Sequence, residues 1–153
     1  MPKKQEDKWM EIVREYSLKY YGKNLDSYER LGRYLPETMA KWIELRRSLF
    51  EEPPIGAITL REKELIGVAI QIATRKPNVD LHTKKALMAG ATVKQIAEVA
   101  GLCILLAGMI TYIESGQNAL KFAEEYEKKL KRKGRSSFRS LNGGNLILTT
   151  FSR

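Results

Sequence analysis

The stretch that decides the fold is residues 59–99, TLREKELIGVAIQIATRKPNVDLHTKKALMAGATVKQIAEV. It opens on Thr59-x-x-Glu62, a capping-box pattern in which the threonine oxygen accepts an early backbone N–H. Leu65, Ile66, Val68, Ala69, Ile70, Ile72 and Ala73 follow, apolar almost all round, which predicts a central helix over 65–73. Arg75-Lys76-Pro77-Asn78 interrupts it. Asn78 is a fair N-cap for a helix over 79–89, and Gly90 suits its C-terminal cap. Thr92-x-x-Gln95 is a second capping box, opening a helix through Ile96, Val99 and Leu102 to about Ile113. The helices over 65–73 and 99–113 are expected to be the most buried. Gly101 and Gly108 fall near one face of the second, where another helix could approach closely.

The flanks continue the helical period. Trp9, Ile12, Val13, Tyr16 and Tyr20 predict an amphipathic helix over 5–21, closed by Gly22. Asn24 or Asp26 can cap a short helix through Tyr34. Tyr20, Tyr21, Tyr28 and Tyr34 are expected to pack against neighbouring helices rather than line a pocket. Pro36 suits a first helical position, and Met39, Trp42, Ile43, Leu49 and Phe50 make one apolar face. Pro53-Pro54 with Gly56 ends that helix. After a bend or cap at Ser115-Gly116, a last helix is expected from Gln117 to about Lys133, ended by Gly134. Its Glu124–Lys128, Glu125–Lys129 and Glu127–Lys131 pairs are worth about 0.3–0.5 kcal/mol each. The expected fold class is therefore all-α, with six or seven helices. Residues 1–134 are expected to form one helical domain and 135–153 a basic tail or arm carrying the β-prone run LILTTF.

The net charge of +9 is unevenly distributed. Residues 128–153 hold eight cations and no acids, which leaves residues 1–127 at +1. The basic tail offers phosphate contacts, but no base-reading motif accompanies it and its only aromatic near the cations is Phe138, so nucleic acid is not expected as a partner. The longest uncharged run, 99–113, has 15 residues. A membrane span needs roughly 20, so this run is expected to be a core helix. The N-terminus, MPKKQEDKWM, has no apolar region of a signal peptide, and a cytoplasmic location is expected. One cysteine and one histidine make neither an intrachain disulfide nor a Cys/His zinc site.

Few residues carry chemistry. His82 is the only histidine, about one turn inside its helix, where burial and the positive helix end favour the neutral imidazole. It is either a base or a satisfied core histidine. Glu64 is either a solvated carboxylate favoured by the helix dipole or a catalytic group. Arg75 can anchor a substrate carboxylate bidentately or simply be solvated. Cys103, in an apolar helix, is expected to be an inert core residue.

Leu60 with Glu64-Leu65-Ile66, His82-x-x-x-Ala86, Ala89-Gly90-Ala91-Thr92 and Ile96-Ala97-Glu98-Val99 form a string with recognisable spacing. On these residues the segment 59–119 resembles the alkylhydroperoxidase D-like, or carboxymuconolactone decarboxylase, family. The resemblance implies an all-helical bundle that assembles as a homo-trimer, a homo-hexamer or a related ring. Redox members of that family reduce peroxides through a C-x-x-C pair four residues ahead of the histidine, with a glutamate completing a proton relay. Aligned back from His82, Arg75 and Asn78 stand at the two cysteine positions. A lone Cys103 cannot complete an intrachain dithiol cycle, so peroxiredoxin activity attaches only through the family's name. Glu64 matches the relay glutamate with one residue missing between it and His82. Decarboxylase members carry tyrosine–glycine–proline in the next helix, where Leu106-Ala107-Gly108-Met109 keeps only the glycine.

The expected function is a cofactor-free acid/base enzyme, decarboxylase-, isomerase- or lyase-like, acting on a small substrate, with carboxylates one candidate class. His82 and Glu64 are the expected catalytic residues, Arg75 and Asn78 the expected substrate contacts, and no metal is expected. The alternative is a non-catalytic helical oligomer used for binding or scaffolding.

Overall fold

A computed structural model describes the backbone of residues 3–141 and the side chains of residues 6–132. The described residues form seven α-helices, one π-helical turn and no strand. The helices are α1 (Lys3–Tyr21), α2 (Asp26–Tyr34), α3 (Pro36–Leu49), α4 (Leu60–Ala73), α5 (Asp80–Met88), α6 (Val93–Ala107) and α7 (Gln117–Leu141). The π turn, Tyr112–Gly116, leads directly into α7. The LILTTF run lies outside the described residues. No described helix is long and apolar enough to cross a membrane.

The helices gather into two compact units, Met1–Ile58 and Thr59–Arg153. In the first, α1, α2 and α3 pack on one another around Val13, Tyr16, Met39 and Ile43. The aromatic residues pack ring against ring. Tyr16 has its ring centroid 4.5 Å from Tyr20 and 6.2 Å from Trp42, and Tyr28 lies 5.5 Å from Trp42. The buried Tyr16 hydroxyl takes a hydrogen bond from Arg46 Nε, and the Tyr21 and Tyr28 hydroxyls meet at 3.0 Å. Burial pushes both Tyr16 and Tyr21 up to about 12. Neither Asn24 nor Asp26 caps α2; its N-cap is Leu25, without a side-chain cap.

In the second unit, α4 packs against α5 and α6, and α7 packs against the same two helices. Val68, Ile72, Ile96, Ala100 and Ala123 are the buried centre. Each fully buried valine or isoleucine there contributes about 1.5–3 kcal/mol. Both capping boxes form. Thr59 Oγ1 accepts from Glu62 N at 3.3 Å while Thr59 N donates to Glu62 Oε2 at 2.7 Å, and Thr92 and Gln95 repeat the exchange at 3.2 and 3.0 Å.

Several expected boundaries move. The helix expected to reach Ile113 stops at Ala107, because Gly108 adopts φ +90°, a conformation that a side chain disfavours. Ser115 and Gly116 are not a bend but part of the π turn. Gly134 does not end the last helix, whose backbone runs on to Leu141. The two apolar helices also bury only one face each. Ile66 and Ile70 on α4 and Leu102, Leu105 and Leu106 on α6 are exposed within the chain.

Candidate active site

Glu64 sits in the second turn of α4, on the same face as Val68 and Ile72 four and eight residues later. That register places a carboxylate in a core position, and only 1 % of it is exposed. A carboxylate so placed needs a donor, since a buried charge without one is costly. The donor comes from α5. His82 Nδ1 lies 2.7 Å from Glu64 Oε2.

The first turn of α5 fixes the histidine. Val79, Thr83 and Ala86 are fully buried, and Thr83 Oγ1 donates to Val79 O at 2.8 Å. These contacts hold the helix against the core, while the imidazole, one residue round, keeps 21 % of its side chain exposed. With Glu64 ionised the carboxylate can only accept, so Nδ1 donates and the Nε2 lone pair is left free. Nothing in the spacing pointed to Gly67, which α4 carries against this ring; its signal was an isolated glycine inside a strongly apolar helix.

Arg75 and Asn78 are engaged elsewhere. Arg75 follows the C-terminal end of α4, in the left-handed region at φ 55°, with Nε 3.8 Å from Glu114 Oε2 of the π turn. From Glu64 to that end, α4 climbs about 14 Å along its axis. Both partners of the Arg75–Glu114 pair are about half exposed, so it contributes at most about 1 kcal/mol. Asn78 is exposed, and its Oδ1 accepts from Asp80 N at 3.4 Å. Val79, not Asn78, is the N-cap residue of α5. The structure thus joins Glu64 to His82 and gives no contact between either of them and Arg75 or Asn78.

Cys103 is buried, its Sγ donates to Ala69 O at 3.5 Å, and burial pushes its thiol above the ordinary range. Among the described residues no group of three histidine, cysteine, aspartate or glutamate side chains could hold a metal ion.

The family model for the carboxymuconolactone decarboxylase family matches residues 36–125, more than half of the chain and beyond the 59–119 string on both sides. The structure is similar to the crystal structure of a candidate carboxymuconolactone decarboxylase from Burkholderia xenovorans LB400. The two share 27 % identity with a TM-score of 0.72, over 84 % of this chain and 98 % of that one. No curated protein matches the sequence. The family match spans both Glu64 and His82, and the fold agrees with it: the chain belongs to the carboxymuconolactone decarboxylase family.

Proposed function

We propose that this chain is a cofactor-free acid/base catalyst in which His82 Nε2 is the general base and Glu64 orients the imidazole. The observation that supports this reading is the 2.7 Å contact between a buried carboxylate and the Nδ1 of a partly exposed histidine. When Nε2 takes a proton from a substrate carbon, the ring becomes an imidazolium beside Glu64, whose charge stabilises it. The same proton can then return to a different atom. That sequence serves an isomerisation; where the proton taken is instead that of a substrate carboxylic acid, its delivery to carbon balances the loss of carbon dioxide. Small carboxylates, among them carboxymuconolactone, are the substrate class to try first, on the strength of the family. Thiol-dependent peroxide reduction is not part of the proposal, because Arg75 and Asn78 replace the thiols and Cys103 is buried.

The test is incubation with carboxymuconolactone and a panel of small β-keto and unsaturated carboxylic acids in deuterated water. Deuterium incorporation or carbon dioxide release that disappears in His82→Ala supports the base. Wild-type protein that turns over none of them, or His82→Ala protein that turns them over equally well, defeats it.

A second reading has its own observation. Leu105 and Leu106 are 77 % and 81 % exposed on the uncovered face of α6. That face favours a homo-oligomer, a trimer or hexamer by the family resemblance, which can also serve as a non-catalytic scaffold. A His82→Ala protein that keeps its assembly and every measurable function would favour the scaffold over the enzyme.

A further inference from the structure

We infer that Gly67 is a positioning residue of this site: it is the seat on which the imidazole of His82 is held against Glu64. The inference rests on the Glu64–His82 pair being the working unit proposed above. A Cβ built at position 67 would lie 2.8 Å from His82 Nδ1, 3.0 Å from Cγ and 3.3 Å from Cε1. Favourable carbon contacts begin near 3.5 Å, so a methyl group there collides with the ring. The nearest ring atom is the nitrogen that bonds Glu64, and it is that bond which a side chain at 67 would break.

The geometry of α4 explains the coincidence. Positions 64 and 67 are three residues apart and neighbours on one helix face. The ring spans both, with Nδ1 on the carboxylate and one edge over the bare Cα. His82 is anchored through Val79, Thr83 and Ala86, all fully buried, so a displaced imidazole must rotate about its own side-chain bonds. Rotation carries Nδ1 away from Oε2 and leaves a carboxylate that is 1 % exposed without this donor.

Glycine is a poor helix former, so one between Ile66 and Val68 needs a reason. Gly101, in the middle of α6, meets nothing within 4 Å, and an alanine there should help the helix. Gly32 of α2 meets the Sδ of Met10, part of a flexible side chain that can shift. Gly67 faces the rigid ring of the only histidine in the chain.

That uniqueness makes the experiment direct, because every imidazole signal in a nitrogen-15 NMR spectrum belongs to His82. In wild-type protein the neutral ring is expected as the Nδ1–H tautomer. Gly67→Ala and Glu64→Leu are each expected to lose that form, moving the ring nitrogens toward the pattern of free histidine. Gly67→Ala should also lower the thermal midpoint, whereas the control Gly101→Ala should raise or preserve it. The penalty at 67 should vanish in a His82→Ala background, where no ring remains to strike. If Gly67→Ala alone does not fold, the double variant still reads the coupling. An unchanged tautomer in Gly67→Ala, or an equal penalty with and without the imidazole, overturns the seat. If Glu64→Leu moves the ring signals and Gly67→Ala does not, the catalytic proposal survives and this inference falls. If neither moves them, both fall.

Discussion

His82 Nδ1 and Glu64 Oε2 are 2.7 Å apart in space and 18 residues apart in sequence. The bond ties the first turn of α5 to the second turn of α4, and its acceptor is buried. Removing the donor alone should therefore cost more than an ordinary hydrogen bond. We expect His82→Ala to lose about 1–3 kcal/mol, the cost of an unsatisfied buried group. Adding Glu64→Leu should restore part of it, because an apolar side chain needs no donor there. Urea denaturation of the single and double variants measures both. A His82→Ala protein as stable as wild type would mean that Glu64 does not depend on the imidazole.

The same pair sets the expected effect on rate. With a substrate in hand, His82→Ala should lower kcat by about 10²–10⁴-fold, the range for a lost general base. Glu64→Gln should do less, because Nε2 survives and only the charge behind it is lost. Steady-state kinetics on both variants decides this, and a larger loss from Glu64→Gln than from His82→Ala would reverse the assigned roles.

The local signals of the second unit were legible in the sequence, and its longer-range geometry was not. Thr59 with Glu62 and Thr92 with Gln95 announce helix starts because capping is a contact over three residues. The stop at Gly108 was hidden inside an uncharged run of 15 residues, where a glycine between Ala107 and Met109 reads equally well as helix interior or cap. The π turn carries no pattern of its own. The pairing of Glu64 with His82 depends on how α5 returns along α4, which no spacing encodes; only the family string brought the two together. Arg75 drew attention for its charge, yet the left-handed turn that it occupies directs it to Glu114.

Alkaline pH should loosen the first unit. Tyr16 and Tyr21 rise from the ordinary value of 10.0 to about 12, chiefly through burial; Arg46 beside Tyr16 pulls the other way and loses. The folded chain thus keeps two phenolic protons that the unfolded chain releases above pH 10. Stability unaffected by these groups below that point should fall as pH rises from about 10 to about 12. Among the seven tyrosines, absorbance should show Tyr16 and Tyr21 ionising late in the folded protein, and that late phase should be lost in denaturant. Seven equivalent phenols in the folded state would contradict the packing described for α1–α3.

Cys103 should be slow to react. Burial disfavours its thiolate, so at a given pH less of the reactive form is present, and what forms is sheltered beneath the core. Native labelling by iodoacetamide at pH 8 is expected to be at least about a hundredfold slower than in urea, since it waits on local opening. Rapid native labelling would reopen the question of a functional thiol.

The uncovered apolar surface of the second unit should be an interface between copies of the chain. Leu102, Leu105 and Leu106 recur at helical spacing along α6, and Met109, Ile110 and Ile113 follow it; all six are more than two-fifths exposed. Soluble monomers seldom leave a contiguous apolar patch above about 300–600 Å² uncovered. Covering one such side chain contributes up to about 1.5–3 kcal/mol, enough in sum to offset the entropy lost on association. Closed symmetric assembly is the common outcome. The wild-type protein should therefore sediment well above 17.5 kDa at micromolar concentration. Because Leu105 and Leu106 are 77 % and 81 % exposed, replacing both with glutamate should spare the helical circular dichroism and shift the sedimenting mass toward the single chain. A wild-type species at the mass of one chain would remove the oligomer. An unchanged assembly in the double variant would move the interface to another face, with Ile66 and Ile70 of α4 the next to substitute.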